Sequence, residues 1–444
     1  MTRIYEDRAY QTPQACWWRD TVAPAHPPAM QGDKHTDVAI IGGGFTGLNA
    51  ALVLADAGRQ VTVLDAEHPG WGASGRNGGF CCLGGSKLSG PRIATLFGAD
   101  QRAEWHAAER AAVDHVATLL ADHAIDADVH SEGETMMAHS PGAMHDIRES
   151  IEDTRQSYGV TPHVFEASDL PSLGLNGRFY GGMTLPIGFA LNPGKYHDGL
   201  LKSVMRAGAE VFGQTPATRM RQRGSKWEVT TANGILTAER VVIATNGYSS
   251  EDMPTWLRAR YLPVQSSIIV TRPITDAEQA AQGWTSAQMC YDSRRLLHYF
   301  RLMPDGRFLF GMRGGLRATP RSEAALNARI RKNFEQLLPE WRTIDITHAW
   351  SGLVCLMRRL TPFSGPVPDR PGMFASLGYH GNGVAMGSYL GARLADCVLD
   401  RPTRGPCPAF LHQPPPRFPL GRYRRALLAP TYAAAALLDR QRRF

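Results

Sequence analysis

Apolar and polar positions along the chain alternate in two periods, and the order of the periods carries information. Residues 37–41 are a short apolar run of strand type. Residues 46–57 are an Ala- and Leu-rich run of helical type that ends at Gly58, well placed as its C-terminal cap, and 61–64 are a second apolar run closing at Asp65. Strand 134–138 separates two amphipathic stretches, 99–124 and 142–158, each of which predicts one helix, and 195–208 predicts another. Short strands follow at 210–212, 226–231, 235–237 and 240–244, joined by turns such as Ala232-Asn233-Gly234. From 260 to 318 the pattern is rich in strands, with a hairpin at Pro304-Asp305-Gly306. Helix returns at 322–338, a strand at 373–378 and a helix at 384–399. Nucleotide-type βα elements therefore stand at both ends, with strand-rich sequence between them. This order predicts a discontinuous nucleotide-binding domain (36–95, 160–255 and 345–405) with a second domain (96–159 and 256–344) inserted into it. A Pro-rich arm precedes them (1–35) and a basic tail follows (406–444), carrying an apolar helical patch near 426–438.

The candidate chemistry begins at Gly42-x-Gly44-x-x-Gly47. Alone the spacing is weak. Here it follows a strand, opens a helix and precedes a second strand ending in an acid. Gly42 permits the tight turn, Gly44 lets backbone approach a pyrophosphate, and Gly47 lets helix and strand pack closely. The helix N-terminus offers unused N–H groups and a partial positive charge to phosphate, with Phe45 and Thr46 in its first turn, and Asp65 and Ala66 stand where ribose hydroxyls are bound. The run Gly70 to Gly79 adds flexible glycines to Ser74, Arg76 and Asn77. It can wrap a flat ring and a pyrophosphate, with Arg76 supplying positive charge. Near the other end, Gly378 to Gly387 reads as strand, Gly-rich turn and helix start, a helix N-terminus that would support negative charge on a reduced flavin.

Composition narrows the picture. With 444 residues the chain has room for two large domains. Its net charge is +7 and its pI about 9.1, but acids and bases are mixed along most of it and the excess lies in the tail, which does not suggest nucleic acid. Seven scattered cysteines, with no CxxC pair, predict no disulfide framework and no metal site, and suggest a reducing compartment. No signal peptide or membrane-length apolar run is visible, so the expectation is a cytoplasmic protein.

The chain resembles the D-amino-acid-oxidase superfamily of FAD enzymes (the glycine oxidase and sarcosine oxidase group), in its gamma-glutamylputrescine oxidase-like branch. The stretches that carry the likeness are DVAIIGGGFTGLNAALVLADAG, GWGASGRNGG, YDSRRLLHYFRLMPDGRFLFG, Trp350-x-Gly352 with 361–368, and GYHGNGVAMG. The resemblance implies an α/β plus α+β architecture: a discontinuous Rossmann-like FAD-binding domain and an inserted substrate domain built on a large antiparallel sheet. It implies that Gly42, Gly44, Gly47, Asp65, Arg76, Asn77 and Gly78 touch FAD and that His380, Gly381, Asn382 and Gly383 lie at its ring. Phe45, Thr46, Ala66, Ser74, Gly79, Asn246, Gly247 and Val384 complete the expected cofactor set.

The family's reaction is hydride transfer from the carbon beside nitrogen to flavin N5, followed by imine hydrolysis and reoxidation by dioxygen to hydrogen peroxide. Such chemistry rests on positioning and electrostatics and needs no catalytic triad. The substrate expected is a small amine or N-substituted amino acid. Alternatives are a dehydrogenase passing electrons to a quinone or a protein, and a non-catalytic flavin-binding protein; a homo-oligomer is compatible with all three. Segment 291–301 and the strand to Arg313 are expected to floor the substrate cavity. Tyr299, Arg301 and His380 are the candidate catalytic residues, with Arg313 a candidate for a substrate carboxylate; Tyr299, Arg301 and Arg313 also fit simple alternation on a half-polar sheet. His298 reads as structural. Cys355 is a candidate for covalent flavin attachment, set against a small buried apolar role. The tail's apolar patch is expected to pack on the cofactor domain, with a membrane or a partner as the other possible seat.

Overall fold

Val38 to Ile41 are buried, as a strand covered on both faces requires, and the strand Lys34–Ile41 accordingly lies inside a sheet. A computed structural model describes residues 2–11 and 15–441 of the chain. Five parallel strands run in the order Met373–Leu377, Ile235–Ile243, Lys34–Ile41, Val61–Leu64 and Glu210–Phe212. Phe363–Pro366 adds an antiparallel edge, and Arg219–Arg223 and Lys226–Thr230 branch from Ile235–Ile243 as a hairpin extension. Helix Phe45–Asp56 ends with Gly58 in a left-handed conformation (φ +76°), donating to Ala55 O, while Arg59 N–H donates to Leu54 O. On one face of the sheet this helix packs together with Ala385–Val398, Ala99–Asp122 and Pro193–Arg206; the opposite face of the sheet carries Met30, Trp227, Trp256 and Leu257.

The second sheet has eight strands in the order Ile346–Met357, Tyr261–Pro273, Arg307–Gly315, His298–Leu302, Met289–Asp292, Glu134–Met137, Gly181–Leu185 and His163–Glu166. Every pairing is antiparallel except that between Met289–Asp292 and Glu134–Met137. Helix Pro320–Leu337 covers one face through Leu326, Ile330, Phe334 and Leu337, above a core containing Trp284, Trp341, Phe300, Phe308 and Phe310. Each such large apolar side chain contributes roughly 1.5–3 kcal/mol when fully buried.

Four details depart from the sequence pattern. Strands at 163–185 and 346–357, which periodicity groups with the nucleotide layer, pair in the second sheet instead. Their partners are distant in sequence, so no local signal assigns them. The helix expected over 142–158 is two helices, Pro141–Glu149 and Ile151–Tyr158, broken at Ser150, whose hydroxyl donates to Ile147 O (2.7 Å). The strands expected at 235–237 and 240–244 are one, because Lys34–Ile41 pairs along the whole length. The tail packs elsewhere than expected: Leu428 and Tyr432 of helix Leu428–Gln441 meet Leu262, Val264, Val354 and Leu356 of the second sheet.

The tail is fixed by an ion pair out of solvent. Arg424 (0% exposed) donates to both carboxylate oxygens of Glu251 (2.6 and 2.9 Å), to Tyr261 O and to Gly421 O. Removing one partner strands a buried charge. Arg424→Ala should therefore lower stability by about 3–5 kcal/mol. Thermal melts of Arg424→Ala, Glu251→Ala and the double variant check this, the double losing less than the sum.

Candidate active site at the flavin cleft

The fingerprint turn is shaped by the absence of Cβ atoms. A Cβ on Gly47 would sit 2.0 Å from Gly42 O, and one on Gly42 (φ +110°) would sit 2.8 Å from Ala244 O. Strand, turn and helix thus touch backbone to backbone. The helix ladder begins with Leu48 N–H donating to Gly44 O (2.9 Å), which leaves the amides ahead of it outside the ladder. Ser74 Oγ accepts from Phe45 N–H (2.9 Å), tying the second Gly-rich loop to the helix start. Asp65 accepts from Gly43 N–H (2.8 Å) and Glu67 N–H (3.0 Å), and burial in the groove wall raises its carboxyl to about 6.

These residues line a groove of about 1140 Å³, which runs from Asp65, Ala66, Glu67 and Thr215 past Gly42, Gly44, Phe45 and Thr46 to Ala73, Asn77 and Val384. The last three also line a second chamber of about 1040 Å³. The two spaces therefore adjoin, with three residues bordering both. Narrow glycine-lined passages where a Cβ would collide, an acid at the nucleoside end and a Gly-rich ring end suit a long dinucleotide, and the donor set fits FAD.

Of the expected cofactor residues, Gly42, Gly44, Phe45, Thr46, Asp65, Ala66, Ser74, Asn77, Asn246, Gly383 and Val384 line the groove, and Gly78, Gly381 and Asn382 line the chamber. Gly47 acts behind the groove, through packing. Gly79 lies against Leu191 O, where a Cβ would come within 2.0 Å, and a Cβ on Gly247 would come within 2.9 Å of Leu353 O. Arg76 departs most from expectation. Its Nε donates to Trp71 O (2.8 Å), its other nitrogens face Ser351 O and Gln11 O, and it stacks on the Trp71 ring at 4.1 Å. It borders the chamber and not the dinucleotide groove.

The chamber is walled by Tyr299, Tyr291, Arg313, Lys87, Ser266 and Leu297, among others. Tyr299 and Ser266 share a hydroxyl hydrogen bond (2.9 Å), and burial lifts the phenol to about 12. Arg313 donates to His380 O (2.7 Å). The Lys87 ammonium is held below its ordinary value by desolvation within the cavity and by the Arg313 cation. Tyr291 donates to Glu134 Oε1 (3.0 Å), and Leu83 N–H donates to Oε2 (3.0 Å). Burial raises the Glu134 carboxyl to about 7. Lys87 and Glu134 escaped sequence reading: one lies in a loop with no motif, the other looked like an ordinary strand start.

Two candidate catalytic residues are placed out of reach of chemistry. His380 is fully buried, and its Nε2 accepts from Met357 N–H (3.1 Å), so its proton sits on Nδ1 and goes to Gly85 O (2.7 Å). Burial, with help from Lys87 and Arg313, lowers it to about 3, and no lone pair is free. Arg301 (1% exposed) donates to Leu191 O and Gly79 O and borders neither space, and burial pulls it down to about 9. Both fasten the cleft walls. Cys355 packs into the core beside Met357 and Tyr261, and burial lifts its thiol to about 12, which removes the thiolate that attachment would need. His298 is bound at Nδ1 by Asp292 (2.6 Å) and at Nε2 by Asn333 (3.0 Å), a structural arrangement.

Because Glu134 is easier to protonate in the folded chain than at its ordinary value of 4.5, its contribution to stability is full below 4.5 and is lost as pH rises through about 7. In Glu134→Gln the Tyr291 hydroxyl can turn to accept from the new amide. The melting temperature of this variant should gain on the parent across that window and run parallel to it on either side. Differential scanning calorimetry at stepped pH checks this.

Among the described residues no helix is long and apolar enough to cross a membrane. No cluster of three or more His, Cys, Asp or Glu there could hold a metal. Over 430 residues the chain is 32% identical to a probable oxidoreductase OrdL of Rhizobium meliloti (strain 1021), covering 95% of this chain and 97% of that one. It is 26% identical over 387 residues to the gamma-glutamylputrescine oxidoreductase of Escherichia coli (strain K12), covering 87% and 88%. Glycine oxidase from Geobacillus kaustophilus shares the fold, with a TM-score of 0.70 at 20% identity over 85% of this chain and 98% of that one. Residues 37–397 match the DAO family of FAD dependent oxidoreductases, and the chain, with its glycine-built cleft for FAD, belongs to that family.

Proposed function

We propose that the protein oxidises the C–N bond of a small amine or N-substituted amino acid and passes the electrons to dioxygen. The observation that carries this reading is the chamber that borders the dinucleotide groove at Ala73, Asn77 and Val384, with two tyrosines and the cations Arg76, Lys87 and Arg313 on its walls. The similarity to a gamma-glutamylputrescine oxidoreductase and to glycine oxidases supports it, since such compounds carry an amine together with a carboxylate.

FAD, when bound, supplies the acceptor for the hydride that leaves the carbon next to nitrogen. The work of the chain is to bind, orient and shield. Arg313, steadied by its bond to His380 O, and Lys87 offer positive charge to a carboxylate in a space where charge is screened less than in water. The Tyr299 and Tyr291 hydroxyls border the same space, and each is held by a partner behind it, Ser266 and Glu134. Glu134 can keep a proton at the end of the Tyr291 bond near neutral pH. With His380 and His298 both committed to structural bonds, neither is free to take a proton from the substrate amine.

Anaerobic mixing with a panel of gamma-glutamyl amines, polyamines, N-methyl amino acids and D-amino acids should bleach the yellow protein with at least one member, and air should restore the colour with release of hydrogen peroxide. Bleaching that air does not reverse would point to a quinone or protein acceptor, and no bleaching by any amine would sink the reading. Arg313→Ala should raise KM for a carboxylate-bearing substrate by about 10- to 100-fold, the size of a lost charged hydrogen bond, and leave a plain amine nearly unaffected. Steady-state kinetics on the two substrate types compare them.

A further inference from the structure

The dinucleotide groove has a charge problem. A pyrophosphate brings negative charge, yet two of the three charged side chains lining the groove are the acids Asp65 and Glu67. Arg76, whose position in the motif suggests the counter-charge, has its guanidinium engaged by backbone carbonyls and the Trp71 ring outside the groove. The fingerprint helix N-terminus supplies a partial positive charge of roughly half a unit. Among the described residues, the only full cation lining the groove is Arg3.

Arg3 comes from the arm, ahead of the family's span of 37–397. Its guanidinium lies over the Tyr10 ring at 4.3 Å, and Tyr10 in turn meets Tyr248, a groove-lining residue, edge-on at 6.3 Å. Among the described residues it makes no ion pair that would occupy its charge. The backbone on both sides of it is pinned. Thr2 N–H donates to Asp252 Oδ1 (2.8 Å), Thr2 Oγ donates to Oδ2 (3.1 Å), and Thr2 O accepts from Glu251 N–H (2.8 Å). On the other side Ile4 O accepts from Arg425 (2.7 Å), which also pairs with Glu6 (3.1 Å) and stacks on Tyr5 at 3.7 Å. The arm is therefore tied to the groove rim by residues 251–252 and to the tail by Arg425, and Arg3 stands between the two ties.

We propose that Arg3 is a cofactor-binding residue of this protein, placing a full positive charge against the FAD pyrophosphate from an N-terminal strap that the tail holds in place. The strap and the tail residue Arg425 that fastens it lie outside the family's matched span, while its other tie, residues 251–252, lies within it; Arg3 itself is therefore an addition to the shared cofactor site. It rests on FAD binding, and the test separates the two.

The protein is stripped of flavin, and its FAD affinity is measured by fluorescence titration at low ionic strength. Arg3→Ala should bind FAD about tenfold more weakly, as expected for one lost charged hydrogen bond in a half-exposed groove. Arg3→Lys should recover most of the affinity, and Arg3→Glu should fall below Arg3→Ala. The spacing between the variants should shrink as salt shortens the screening length. Arg425→Ala, which leaves Arg3 intact but loosens the strap, should speed FAD release in stopped-flow dilution. Parental affinity in Arg3→Ala, or Arg3→Lys as weak as Arg3→Ala, overturns the proposal while the parent still binds FAD. A parent that binds no FAD overturns the cofactor assignment itself.

Discussion

Backbone lies on backbone where Gly47 meets the Gly42 carbonyl, and the rest of the site follows from that contact. With a Cβ only 2.0 Å from that oxygen, any side chain would push the helix off the strand end. The contact fixes the helix N-terminus against the carboxyl ends of the parallel strands, where an open α/β sheet leaves its crevice. Ser74 then joins the second loop to the same helix start, and Asp65 joins the second strand to Gly43. Three segments separated in sequence converge on a few hydrogen bonds, and the cleft is the space they leave.

The buried polar groups follow a single logic. His380 bonds backbone atoms of neighbouring segments at Gly85 and Met357, and Arg301 those of Gly79 and Leu191 together with the His130 ring. Buried donors without partners are costly, so such side chains are strong clamps between loops. The same commitment removes them from proton transfer. What remains adjustable around the chamber is Glu134 behind Tyr291 and Lys87, whose ammonium is held below its ordinary value by burial and by the neighbouring Arg313 cation.

The extensions beyond the family span are integrated with the body. The tail's Arg424 reaches the loop bordering the groove through Glu251, Arg425 reaches the arm through Glu6, and Leu428 sits on the second sheet. Cofactor groove, substrate sheet and both ends of the chain are thereby mechanically connected. The packing of the tail on the second sheet comes from Leu262 and Val264 at the strand Tyr261–Pro273, whose apolar outer face needs cover.

By itself the sequence determined the βαβ unit, its glycine turn, the acid at Asp65, the hairpin at Pro304–Gly306 and the second Gly-rich turn before the last helix of the FAD layer. Each is set by local sterics: a positive φ, a missing Cβ, or a run of apolar residues at strand or helix period. Tertiary structure alone decided which sheet strands 163–185 and 346–357 join, since their partners are remote and a strand's pattern does not name its neighbour. It also decided roles. Arg76, Arg301 and His380 carry the residue types of a catalytic or anion-binding site, but what a charged or titratable group does depends on which atoms surround it, and those arrive from other segments. Lys87, Glu134 and Arg3 gained their places in the same way, through folding that brings distant charges to one cleft.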